Sequence, residues 1–373
     1  MASSFKIKSL QAFCYRYPLA VPVVTSFGRM NDRPALFVRI EDEDGEQGFG
    51  EVWCNFPSVG AEHRARLINE TLAPMLCGRA VAHPSEMFDH LSAATSVLAL
   101  QSGEQGPFAQ AIAGIDIALW DLFARRARTP LWRLLGGDSP RMRVYASGIN
   151  PEGSVAMAER AMRRGHRAFK LKIGFGAERD RGNLRDLRRL IGELPLAADV
   201  NQGWSIDQAL AQAPRLGDYA LAWLEEPLRA DRPWREWHAL RERISIPLAG
   251  GENIAGRDAF ATAVAEGALS VVQPDVAKWG GVTGCLAVAH DVVVAKRSYC
   301  PHYLGGGIGL QASAHLLAAC NGGLLEVDSN DNPLRDEFCG AVADIRDGEI
   351  ELSDTPGLGI APDLAAIVRY RTM

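Results

Sequence analysis

The seven cysteines of this chain (Cys14, Cys54, Cys77, Cys285, Cys300, Cys320 and Cys339) form no C-x-x-C pair, and their number is odd. A reduced, cytoplasmic protein explains that pattern most simply. Lys6 and Lys8 are not followed by an apolar h-region, so no signal peptide is expected. No apolar run approaches bilayer-spanning length, which argues against a membrane partner. Basic residues are scattered, and the formal net charge is −5. The nearest thing to a basic cluster, Arg125, Arg126 and Arg128, reads as a helix C-terminus meeting its dipole. Nucleic acid is therefore not an expected partner. There is also no G-x-x-x-x-G-K-[ST] phosphate loop, no G-x-S-x-G elbow and no H-E-x-x-H helix.

What is present is enough chain, 373 residues with 47% hydrophobic and 23% charged, for two domains or for one barrel with an appended unit. Two regimes appear along it. Up to about residue 125, strands over 7–17, 36–41 and 48–53 precede helices over 61–75, 84–98 and 107–127, with Asp44-Gly45 as a hairpin turn. The last helix puts Ile112, Ile115, Leu119 and Leu122 on one face. This predicts a compact α+β unit, residues 1–125. From about Arg143, short apolar strands alternate with amphipathic helices. Eight such units of about 23–27 residues suggest a parallel barrel, although an open doubly wound sheet gives the same alternation. The predicted division is a cap (1–125), a barrel (126–350) and a C-terminal segment (351–373).

The position of the polar residues separates barrel from open sheet. From the second strand onward, each strand ends in a residue that a buried strand should not carry: Lys170 and Lys172, Asp199 and Asn201, Glu225 and Glu226, Glu252, Asp275, His302 and Glu326. In a barrel these ends converge on one mouth, where such folds keep their active sites. Asp199, Glu225 and Glu252 would repel one another there unless a cation neutralised them. All-oxygen ligands favour Mg²⁺, with Mn²⁺ as a substitute. Any one of the three alone reads better as a solvated strand-end acid, so the metal site rests on their phase with the repeat.

Lys170-Leu171-Lys172 alternates so that both lysines share a face. If that face lines the mouth, desolvation and like charge make one of them a candidate base, whereas on an edge strand the same motif is inert. His302 with Asp275 one strand back forms a candidate acid/base pair. His63, His83, His90, His166, His238, His290 and His315 read as structural or solvated. Gly307-Ile308-Gly309-Leu310-Gln311-Ala312 fits G-x-G-x-x-A, but it comes late in the chain. Backbone crowding explains it better than a dinucleotide or a substrate carboxylate.

Taken together, these stretches resemble the enolase superfamily, mandelate racemase subgroup. The matching runs are Lys170-Leu171-Lys172-Ile173-Gly174, Asp199-Val200-Asn201, Trp223-Leu224-Glu225-Glu226-Pro227, Gly251-Glu252-Asn253, Gln273-Pro274-Asp275 with Gly280-Gly281, Pro301-His302 and Leu325-Glu326. Gly114-Ile115-Asp116-Ile117-Ala118-Leu119-Trp120-Asp121 extends the likeness into the cap. The resemblance implies a modified TIM barrel, (β/α)7β, with an α+β capping domain closed by the C-terminal segment. It implies one Mg²⁺ on Asp199, Glu225 and Glu252, and a homo-oligomer.

Carried over, Lys172 resembles the base on one substrate face and His302, paired with Asp275, the acid/base on the other. Lys170 looks like a carboxylate-contacting neighbour, and protonated Glu326 like a donor to the enediolate oxygen. The implied reaction is abstraction of the proton α to a carboxylate, most consistent with dehydration of a sugar acid. Racemisation or epimerisation, lactone cycloisomerisation and a non-catalytic acid-binding relative stay open. For substrate binding, Asn201 is expected at the mouth. Cap loops at 25–29 and 53–56 are expected to close it, with Arg29 or Arg33 meeting a distal carboxylate and Trp53 packing on carbon.

Overall fold

The computed structural model describes residues 4–24 and 28–373. Of the cap loop expected at 25–29, residues 25–27 lie outside the described residues. The cap sheet has the order β3-β2-β1-β4, formed by β1 (Phe5–Val24), β2 (Arg29–Asp42), β3 (Gln47–Val52) and the two-residue β4 (Ala80–Val81). Asp42 shapes the β2–β3 turn: its Oδ1 accepts the N–H groups of Asp44 and Glu46, both at 2.9 Å, while Gly45 takes φ +88°.

Helices follow the sheet, as the periodicity predicts. Gln105–Arg126 has the length and apolarity of a membrane span, yet 89% of its most apolar window is buried. It is the core helix of the cap and is apolar on more than one side because it is covered on more than one side. One side lies against β3 so closely that a Cβ on Gly50 would stand 2.0 Å from the Gly114 carbonyl oxygen. The other side reaches the barrel. Asp116 accepts from Thr283 N–H at 2.9 Å and Thr283 Oγ1 at 2.6 Å, in the first turn of helix Gly281–Val294. Asp121 accepts from Phe49 N–H at 2.9 Å and Leu358 N–H at 2.8 Å, joining the cap helix to the C-terminal segment. The arginines at the helix end do more than meet a dipole: Arg125 pairs with Asp121, and Arg126 with Asp42 and Asp44.

The second sheet is a near-closed parallel barrel. Its eight strands are β5 (Arg141–Ile149), β6 (Phe169–Lys172), β7 (Leu196–Asp199), β8 (Leu224–Glu225), β9 (Leu248–Gly250), β10 (Val271–Val272), β11 (Ser298–Tyr299) and β12 (Leu324–Asp328). They run β11-β10-β9-β8-β7-β6-β5-β12. At the remaining seam Gly323 N–H donates to the Tyr299 carbonyl at 2.7 Å, so the sheet curls round instead of opening. Several ladders are shorter than the apolar runs that announce them. The pairing continues beyond them through single bonds, such as Ala222 N–H to Leu196 O at 2.8 Å and Gln273 N–H to Gly250 O at 2.9 Å. After β12 only short turns follow before β13 (Glu349–Glu351) pairs antiparallel with β5. The tail then returns to the cap, where Thr372 N–H reaches Cys14 O at 2.8 Å.

Candidate active site

Each charged strand end is held by the strand that carries it. In β6, alternation turns Lys170 and Lys172 to the barrel interior, and the register sets Lys172 beside Asp199 and Asp199 beside Glu225. Lys170, 1% exposed, donates to Glu225 at 2.5 Å and stands 2.8 Å from Glu326. Lys172 donates to Asn201 Oδ1 at 2.6 Å and approaches Asp199 at 3.3 Å. Asn201 takes φ +48°, in the left-handed region that asparagine tolerates, and its own N–H bonds Asp199 at 2.7 Å. The structure therefore brings Asn201 to the mouth, as expected.

On the other side, His302 Nδ1 meets Asp275 at 2.7 Å, while Nε2 meets the Glu252 carboxylate. Asp275 is itself fixed by the N–H groups of Ala277 and Lys278 at 2.8 and 3.1 Å. Burial would lower the His302 pKa, but Glu252, Glu326 and Asp275 outweigh it and hold the value well above the ordinary imidazole range.

Two carboxylates share the Lys170 ammonium, and their proton affinities move apart. Burial pushes Glu225 up, against Lys170 and with Asp199 adding repulsion. Glu326 is equally buried, yet Lys170 and His302 overcome the burial and hold it below the usual carboxylate range. Lys170 and His302 thus favour the carboxylate form of Glu326, where the resemblance implies a protonated donor. Lys170 is not the depressed lysine of the two: burial is opposed and outweighed by Glu225 and Glu326, so its pKa lies well above the ordinary value.

Six carboxylates gather here (Asp199, Glu225, Glu226, Glu252, Asp275 and Glu326) against four cationic side chains (Lys170, Lys172, Lys278 and His302). Burial and mutual repulsion hold Glu225 and Glu226 above the ordinary carboxyl range, and a divalent cation would relieve that repulsion. Hard oxygen donors suit Mg²⁺, and the buried Gln273 Oε1, which has no hydrogen-bond partner, belongs to the amide that donates to Glu225. Among the described residues, no three His, Cys, Asp or Glu side chains are arranged to hold a metal ion, and Glu252 is paired with His302. The donor set fits the ion in kind.

A profile described as "Enolase C-terminal domain-like" matches residues 154–366, and one described as "Mandelate racemase / muconate lactonizing enzyme, N-terminal domain" matches residues 7–136. The chain belongs to the mandelate racemase/muconate lactonizing enzyme family of the enolase superfamily. It is 34% identical to a 3,6-anhydro-alpha-L-galactonate cycloisomerase of Streptomyces coelicolor, over 82% of this chain and 90% of that one. It is 29% identical to an arabinonate dehydratase of Saccharolobus solfataricus, over 86% of each. A solved family member from Bordetella bronchiseptica RB50 superposes with a TM-score of 0.94 at 55% identity, covering 99% of this chain and 100% of that one. A solved racemase from Streptomyces coelicolor A3(2) with bound magnesium gives 0.87 at 29% identity, covering 98% and 100%. These relatives are enzymes, and members of the family bind magnesium.

The cap residues fare unevenly. Trp53 is at the mouth, its N–H bonded to Ala277 O at 3.1 Å and its ring 4.7 Å from the Lys278 ammonium. Arg33 is 1% exposed and its Nη2 meets Asp328 at 2.5 Å, which ties cap to barrel, while its buried Nη1 has no hydrogen-bond partner among the described residues. Arg29 is exposed at the head of β2 and has no hydrogen bond or ion pair with the strand-end residues. Sequence reasoning missed Glu51 and Lys278. Glu51 accepts N–H groups of Gly306 and, at 2.9 Å, Gly309, so a cap carboxylate fills the G-x-G-x-x-A turn. The available signal was a lone acid on an otherwise apolar strand, Phe49-Gly50-Glu51-Val52.

Proposed function

We propose that the protein is a magnesium-dependent enzyme that removes the proton α to a carboxylate and eliminates water from a sugar acid. The observation that carries this reading is the charge arrangement of one barrel mouth. Six acids face four cations there, with Lys172 on the strand beside the three candidate metal-binding strands and His302 on their other side, one strand further on past Asp275. Asp199, Glu225 and Glu252 would hold the ion, with Mn²⁺ as a substitute. Bound magnesium would grip the substrate carboxylate and offset the charge that develops as the α-proton leaves.

The side chains supply the rest. Lys172, held by Asn201 and Asp199, stands on one side of the mouth as a base. With Nδ1–H directed at Asp275, His302 presents Nε2 as the acid/base group on the other. For elimination, one group takes the α-proton, the Cβ–O bond breaks, and His302 protonates the departing hydroxyl to give water. Lys170 is the donor best placed to balance charge on the substrate carboxylate. A positioned base supplies about 10²–10⁴-fold, so preorganised charge must supply most of the remaining acceleration. Cycloisomerisation is the second reading, favoured by the 34% identity to a cycloisomerase.

The test is proton NMR of sugar acids in D₂O with the protein and Mg²⁺. The α-proton signal of at least one acid should disappear, only with the metal, and not with Lys172→Ala or His302→Ala. Magnesium-dependent binding without exchange in any candidate acid would replace the enzyme with a passive acid-binding relative.

A further inference from the structure

One cation at the mouth has no task in the reaction just described. Lys278 lies in the loop after β10, and its side chain is 12% exposed. Its ammonium donates to Asn253 Oδ1 at 2.8 Å and stands 4.7 Å from the centre of the Trp53 ring. The carboxylate paired with it is Glu252, at 3.8 Å, beyond hydrogen-bond distance, and that carboxylate is also taken by His302. If Glu252 serves a cation, Lys278 keeps a neutral amide and an indole face as direct partners, with the Glu226 carboxyl further off. An ammonium has three donors, and a mostly buried one with neutral neighbours retains capacity for an anion.

The surroundings are fixed from both domains. The backbone N–H of Trp53 holds Ala277 O at 3.1 Å, and the backbone N–H of Lys278 holds Asp275, so indole and ammonium are kept side by side at the cap–barrel junction. The ring face steadies the cation and keeps water from one side of it. Arg33 is buried against Asp328 and Arg29 is exposed at the head of β2, whereas Lys278 stands beside the acids of the mouth itself.

We propose that Lys278, backed by Trp53, binds a second carboxylate of the substrate, so that the site selects sugar diacids over sugar monoacids of equal length. This rests on the proposed placement of substrate in the barrel mouth. A charge-assisted hydrogen bond from Lys278 to that carboxylate is the discriminating contact, and a monoacid offers only a hydroxyl there.

The test compares calorimetric binding of galactarate and galactonate, with Mg²⁺, to the wild type, Lys278→Gln and Lys278→Arg. The wild type should prefer the diacid by roughly tenfold to a hundredfold. The glutamine variant should bring that ratio close to one, and the arginine variant should keep most of it. Equal binding of the two acids by the wild type, or an unchanged ratio in Lys278→Gln, would overturn the proposal. A lysine that merely supports Glu252 would weaken both acids alike and leave the ratio where it was. Proton exchange is judged separately: a diacid preference without exchange would sink the proposed reaction and spare the Lys278 contact, and exchange without a preference would do the reverse.

Discussion

Lys170 and Lys172 sit two positions apart on one strand face, yet they meet different partners. Lys170 is locked between Glu225 and Glu326, while Lys172 faces an amide and a more distant carboxylate. In the proposed reaction the first balances charge and the second moves a proton. Lys172→Ala should therefore lower substrate proton exchange by about 10²-fold or more with the fold intact, read by NMR exchange alongside circular dichroism. Asp275→Asn should also slow exchange, because an amide cannot orient and charge-balance His302 as a carboxylate does. Unchanged exchange in Asp275→Asn would remove the pair from the account. These residues were legible in the sequence because a charge at the end of a buried strand is costly and stands out. Lys278 was not, since it lies three residues past Asp275 in a loop and acquires meaning only when Trp53 arrives from the cap. The Arg33–Asp328 pair is hidden for the same reason, its members lying 295 positions apart.

Between elements, the cap is fastened to the barrel by acids at helix starts. Glu51 reaches the N-terminal turn of helix Gly307–Cys320, and Asp116 reaches that of Gly281–Val294. Burial pushes Glu51 up to about 7 from an unfolded value near 4.5, despite the N–H groups of Gly309 and Gly306. A raised carboxyl pKa means that the folded state binds the extra proton. The associated stability is present below about pH 4.5 and is lost as pH rises through 7. Over that window Glu51 should withdraw about 3 kcal/mol of stability. Glu51→Gln should flatten the difference, seen as a smaller change in urea midpoint between pH 5 and pH 8 than in the wild type. Identical pH profiles would show that Glu51 does not carry the proton. Close contact is tested separately by Gly50→Ala, which places a methyl group 2.0 Å from Gly114 O and should cost several kcal/mol or prevent folding. Strand and helix order could be read from apolar periodicity, and the Asp44-Gly45 turn from its residue types. The helix-capping acids could not, because the sequence does not show which helix start each acid will meet.

For the whole molecule, the barrel gathers strand ends that lie 156 positions apart, from Lys170 to Glu326, into one ring of charge. The eightfold alternation and the phase of the polar ends pointed to that ring before any coordinates. They did not show how Glu252 would choose between His302 and a cation. Magnesium should raise the melting temperature, since binding to the folded state alone stabilises it by mass action. The most direct measurement is a calorimetric titration of Mg²⁺ into the wild type and into Asp199→Asn, Glu225→Gln and Glu252→Gln. One ion per chain should bind to the wild type, and each substitution should weaken it by tenfold or more. Binding that survives all three changes, or no binding at millimolar magnesium, would contradict a shared site on these carboxylates.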